Sequence, residues 1–109
     1  MMTPEKKVKA KVVEILKGFG AYYFYASTGG YGASGVPDII CCYKGRFIGI
    51  ECKAGKGKTT ALQEKNIAQI IAQGGLALVV NEDNIPDVRN LLVCMQGFEF
   101  NKVLEGAFK

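Results

Sequence analysis

The sequence contains no histidine. That absence excludes Ser-His and Cys-His hydrolases and histidine-based metal sites, so any catalysis must use carboxylates, lysine, tyrosine or a bound metal. Cys41, Cys42, Cys52 and Cys94 form no C-x-x-C pair, the spacing used by zinc and thiol redox sites. Three of them lie in apolar, strand-like runs, which predicts buried free thiols. No apolar run approaches the roughly 20 residues of a membrane span, and the lysine-rich amino-terminal stretch leads into an amphipathic pattern without the apolar region of a signal peptide. A soluble, intracellular protein with no membrane partner is expected.

What is present describes a small folded domain. Of the 109 residues, 49% are apolar or aromatic and 22% charged, a balance far from that of disordered chains. The length allows one domain, expected to span residues 1–109. A net charge of +4 and a sequence pI near 8.9 favour a polyanionic partner.

Apolar periodicity gives the order of elements. Thr3 and Pro4 read as an N-cap and a first-turn proline, followed by Val8, Val12, Ile15, Leu16 and Phe19 at helical spacing until Gly18 and Gly20. "AYYFYAS" reads as a strand running into the glycine-rich loop "TGGYGASG". "DIICCY" and "RFIGIEC" are strands around a two-residue turn at Lys44-Gly45. Thr59 or Thr60 caps a second helix carrying Leu62, Ile67, Ile70 and Ile71, "LALVV" is a buried strand, and a third helix begins at Asn84. The final stretch, "GFEFNKVLEGAFK", has no clear periodicity. The expected fold is α/β, in the order α-β-β-β-α-β-α with a mixed sheet flanked by helices.

The hairpin gathers the chemistry. A turn at Lys44-Gly45 pairs Tyr43 with Arg46 and, counting inward, sets Asp38 opposite Glu51. Opposed residues have Cβ atoms about 4.5–5.5 Å apart, where like charges are destabilising unless a cation neutralises them. Alternation puts Phe47, Gly49, Glu51 and Lys53 on one face, with Gly49 expected to leave room for a ligand, and turns Ile48, Ile50 and Cys52 toward the core. Two carboxylates suit Mg²⁺ or Mn²⁺, completed by a carbonyl, waters and substrate oxygens, and do not suit zinc. An ordinary surface cluster, with lysine balancing two acids, is the competing reading.

The elements "GVPD" and "IECKAGKGKTTALQ" resemble the VRR-NUC domain, the virus-type replication-repair nuclease of the PD-(D/E)xK superfamily. Gly35, Pro37 and Asp38 match its G-x-P-D element, Glu51 and Lys53 its E-x-K, and Gln63 the glutamine opening the next helix. The resemblance runs from the first helix to "LALVV" and implies a restriction-endonuclease-like core. It implies metal binding by Asp38, Glu51 and the backbone carbonyl of Cys52, with Lys53 assisting the attacking water. It also implies an acid on the first helix. Glu5 shares a stripe with Val8 and Val12 whereas Glu14 points away, so Glu5 is the candidate, against a simple first-turn carboxylate on the helix dipole. For Gln63 a site role stands beside a T-x-x-Q capping box with Thr60. Short stand-alone members of viral or phage type resemble junction-resolving nucleases and act as dimers, so the resemblance implies a homodimer and hydrolysis of branched DNA to a 5′-phosphate and a 3′-hydroxyl.

The loop "KAGKGK" ends in GKT but fails the P-loop pattern, because Cys52 stands where the first glycine must be. No nucleotide cofactor is expected. Lys56 and Lys58 are candidates for DNA-phosphate contacts or for a plain solvated loop. Tyr31 and Ser34, in the glycine-rich loop, are the other candidate DNA contacts, with local packing as the alternative for Tyr31. A non-catalytic DNA-binding module and a nucleotide-binding protein remain as other functional classes.

Overall fold

The computed structural model describes residues 2–26 and 35–97. Tyr31, Ser34 and most of the glycine-rich loop lie outside these residues, as does the final stretch from residue 98 onward. The described elements follow the expected order, α1(Pro4–Phe19), β1(Tyr22–Tyr25), β2(Ile39–Tyr43), β3(Arg46–Cys52), α2(Ala61–Ala72), β4(Leu76–Val80) and α3(Ile85–Met95).

Local chemistry sets the ends of α1. The Thr3 hydroxyl accepts the Lys6 N–H at 3.2 Å, Pro4 occupies the first turn, and Gly20 closes the helix with a left-handed φ of 74°. Gly18 therefore does not stop the helix, which runs through it to Phe19. The β2–β3 turn has Lys44 at φ 50° and Gly45 at φ 82°. Positive φ at both central positions matches the right-handed twist of a two-residue hairpin, and fixes Ile39 opposite Ile50 and Tyr43 opposite Arg46. At the start of α3, Asn84 takes the N-cap position, but its side chain makes no capping bond to the helix. Its side chain accepts the Asn81 N–H at 2.7 Å and donates to the Val79 carbonyl at 2.9 Å, shaping the turn out of β4.

The sheet order is β1-β2-β3-β4, antiparallel except for the β3–β4 pair, which is parallel. One face is closed by α1 and α3. Val8, Val12 and Leu16 meet Val88 and Leu92 over Ile39, Cys41, Ile48, Ile50, Cys52 and Val80, all at 1% exposure or less. Truncating one of these larger aliphatic side chains to alanine costs about 2–5 kcal/mol.

The other face is thinly covered. A helix is about 10 Å wide and strands lie about 4.8 Å apart, so α2 alone cannot roof four strands. No residue of α2 is fully buried, and Tyr22, Phe24, Phe47, Leu62, Ile71 and Val79 are exposed. The cysteine expectation divides accordingly. Cys41 and Cys52 are buried free thiols, whereas Cys42 is exposed because strand alternation turns it to the thinly covered face, and Cys94 is exposed on α3.

Candidate active site

Glu51 is the one charged residue buried in the described part of the molecule, 3% exposed at the end of β3. Its Oε2 receives the Gln63 side-chain amide at 3.0 Å and lies 3.6 Å from Lys53 Nζ. Its Oε1 is buried and has no hydrogen-bond partner. Such an atom carries a desolvation penalty of about 1–3 kcal/mol or more unless something compensates it. Burial first, and then the nearby Asp38 charge, push the Glu51 carboxyl up to about 7 against the opposing pull of Lys53. Protonated, Glu51 can share its hydrogen with Asp38. Ionised, it leaves Oε1 unpartnered.

Asp38 sits at the bend entering β2, in line with the register that sets it opposite Glu51. Its Oδ2 accepts the Cys52 N–H at 2.9 Å, which holds the Cys52 peptide against the acid pair. Its Oδ1 faces Lys9 Nζ at 3.9 Å.

Gln63 forms the capping box and, with the same side chain, also bonds Glu51. Its Oε1 accepts the Thr60 N–H at 2.9 Å while the Thr60 hydroxyl accepts the Gln63 N–H at 3.2 Å, completing the capping box. The same box aims Nε2 at Glu51. Gly35 explains how the loop before Asp38 meets this helix. Its φ is 82°, and a Cβ there would stand 2.6 Å from the Leu62 carbonyl carbon and 2.8 Å from the Gln63 nitrogen.

Gly49 corrects the expectation of an open space. A Cβ on it would meet Ile70 Cδ1 and Pro37 Cγ, both at 2.9 Å, so the missing side chain admits α2 and Pro37 against the sheet. Glu5 is exposed, as are its neighbours from residue 2 to residue 7, because the first turn of α1 projects beyond the core that begins at Val8. Its charge still reaches the site, where it helps to raise the Cys52 thiol, a shift dominated by burial. Lys56 and Lys58 lie exposed on the loop after β3. That loop is pinned by a residue the motif reading missed. Glu82, beyond β4, accepts the Gly55 N–H with both carboxylate oxygens at 2.9 and 3.2 Å, and its carboxyl is lowered by such backbone hydrogen bonds.

Among the described residues no three Asp, Glu, Cys or His side chains cluster as a ready metal cage. The donor set is two carboxylates at the end of a hairpin, which fits a hard cation that keeps several waters. The unpartnered Glu51 Oε1 supports that fit. A cavity of about 560 Å³, lined by residues such as Glu14, Phe19 and Arg89, contains none of these groups.

Residues 6–77 match the sequence model of the archaeal Holliday junction resolvases. The chain belongs to the archaeal Holliday junction resolvase family. The resolvase match takes in Asp38, Glu51, Lys53 and Gln63, and begins one residue after Glu5. A solved VRR_NUC domain protein superimposes with a TM-score of 0.64 at 20% identity, over 91% of this chain and 93% of its own. That likeness shows a shared restriction-endonuclease-like fold. No curated protein matches the sequence. Membership of the resolvase family makes the chain a nuclease-family protein, and no described helix is long and apolar enough to cross a membrane.

Proposed function

We propose that this chain is a metal-dependent endodeoxyribonuclease that hydrolyses phosphodiesters in branched DNA, with four-way junctions as its preferred substrate. The observation that carries the reading is Glu51, a buried carboxylate with one oxygen engaged by Gln63 and Lys53 and the other unpartnered beside Asp38. The family match supports the choice of a junction substrate.

Asp38 Oδ1, Glu51 Oε1 and the Cys52 carbonyl would hold Mg²⁺ or Mn²⁺, with Glu5 contributing from α1. When bound, the ion supplies Lewis acidity toward a phosphoryl oxygen and makes hydroxide available near neutral pH. Lys53, 13% exposed, keeps its ammonium at the edge of the acid pair, where it orients the attacking water and offsets charge developing on the phosphate. Gln63 fixes the Glu51 rotamer, so that Oε2 stays occupied and Oε1 stays presented. Lys56 and Lys58 contact backbone phosphates, and Tyr31 and Ser34 contact DNA from the glycine-rich loop. The products are a 5′-phosphate and a 3′-hydroxyl, and no nucleotide cofactor takes part.

The working unit is a homodimer. Its support is the exposed apolar side chains, Tyr22, Phe24, Phe47 and Val79 on the sheet and Leu62 and Ile71 on α2, which are of the kind that a second copy buries. A two-fold dimer presents two sites to a four-way junction. A monomer mass at micromolar concentration counts against it.

Cleavage of an end-labelled four-way junction, beside linear duplex of the same sequence, tests the reading with Mg²⁺, Mn²⁺ or EDTA for wild type and Asp38→Asn. Metal-dependent, symmetric cuts at the junction, lost in the variant, are expected. Tight binding without cleavage under every metal would make the protein a DNA-binding module instead.

A further inference from the structure

One charged side chain outside the recognised motif meets the acid pair from a different element. Lys9 lies on α1 with its Nζ 3.9 Å from Asp38 Oδ1 and 5.9 Å from the centre of the Tyr25 ring. The contact is too long for a hydrogen bond, so it is a loose ion pair held by charge. Asp38 Oδ2 is already taken by the Cys52 N–H. Oδ1 is therefore the oxygen open to a divalent ion, and Lys9 is the cation now beside it.

On its other side Lys9 opens onto a cavity of about 370 Å³ lined by Met2, Lys6, Lys9, Ala10 and Tyr25. Two ammonium groups and a tyrosine, 53% exposed, suit a nucleic-acid strand, whose phosphate takes the charge and whose base takes the ring. A divalent ion and an ammonium cannot both lie close to one carboxylate oxygen without repelling each other. At about 4 Å that repulsion is enough, even in a water-like medium, to change an affinity about tenfold.

We propose that Lys9 is a placeholder cation, which neutralises Asp38 until a divalent ion takes Oδ1 and then turns to a DNA phosphate in the adjoining Lys6–Tyr25 cavity. Metal and DNA thereby favour each other's binding. Lys9 is a positioning residue in this scheme, and the scheme rests on the nuclease reading above.

The test uses the full chain as wild type, Lys9→Met, Lys9→Gln and Lys6→Met, each checked for an unchanged melting transition. Mn²⁺ affinity is read by electron paramagnetic resonance, and binding of a fluorescent four-way junction by anisotropy, in Ca²⁺ and in EDTA, over a salt series. Both Lys9 variants should bind Mn²⁺ about tenfold more tightly. They should bind the junction more weakly in Ca²⁺, with a salt slope reduced by about one phosphate, yet match wild type in EDTA within about twofold. Lys6→Met should leave Mn²⁺ affinity unchanged and weaken the junction complex in both media. Unchanged Mn²⁺ affinity in the Lys9 variants, or equal losses of junction affinity in Ca²⁺ and EDTA, overturns the role of Lys9 alone. Wild type that binds neither Mn²⁺ nor the junction overturns the nuclease reading with it.

Discussion

Glutamine in place of Glu51 should change how the metal-free protein responds to pH. In the folded protein this carboxyl is raised from 4.5 to about 7, by burial first and by Asp38 second. The folded state therefore holds the proton more tightly than the unfolded chain does. The stability contributed is fully present below pH 4.5 and is lost as pH rises through about 7. A gap of about 2.5 pH units, at about 1.36 kcal/mol per unit, corresponds to roughly 3 kcal/mol. In a domain of this size each kcal/mol moves the melting temperature by about 4–8 °C, so a shift on the order of 10 °C or more is at stake. The assay is urea or thermal unfolding in EDTA across the window, for wild type and Glu51→Gln. The quantity of interest is the difference between the two proteins, because titration of the other groups largely cancels in it. That difference should move by roughly 3 kcal/mol in favour of the variant as pH rises, then level off above about pH 8. A difference that stays constant across the window would refute the account of a buried carboxylate with one unpartnered oxygen. Mn²⁺ at a hundred times its Kd should return about 2.7 kcal/mol to wild type and little to the variant.

Two further substitutions separate packing from chemistry. Gln63→Ala removes both the capping bond and the Glu51 bond, and should cost about 1–3 kcal/mol together with most of the junction cleavage, whereas Thr60→Ala should cost about 1 kcal/mol and keep cleavage. Equal loss of cleavage in both variants would make Gln63 only a cap. Gly35→Ala drives a Cβ into the α2 backbone at a left-handed φ, and should destabilise by more than about 2 kcal/mol in urea unfolding, with a loss under 0.5 kcal/mol contradicting the close approach.

The order of elements and the hairpin register were legible because each depends on local signals. The Thr3-Pro4 start, the Lys44-Gly45 turn and the alternation of "RFIGIEC" suffice to bring Asp38 opposite Glu51. What the sequence did not disclose depends on neighbours distant along the chain. Gly49 looks like space above a strand until Ile70 and Pro37 are seen to fill it. Glu5 looks inward by helical angle, but helical angle does not say where the sheet beneath it ends. Cys42 looks buried in an apolar run until α2 proves too narrow to cover it. Lys9 was within reach, one turn beyond Glu5 on the same side of α1. Its pairing with Asp38 needed the packing of α1 on the sheet. Glu82 had no local signal at all, since its partner Gly55 is 27 residues away.

The turn at Lys44-Gly45 lies at the opposite end of the hairpin from the acids, yet it governs them. Along β3 the residues of the core and the residues of the site alternate one by one, Ile48, Ile50 and Cys52 against Gly49, Glu51 and Lys53. A slip of one residue would exchange the two sets, sending the glutamate into the aliphatic layer and an isoleucine to the face that carries the acid pair. The number of residues in this turn is thus under tighter constraint than their identity. Loop variation, usually the freest change open to a small domain, is closed at this position by the acids one step beyond the five pairs of the ladder.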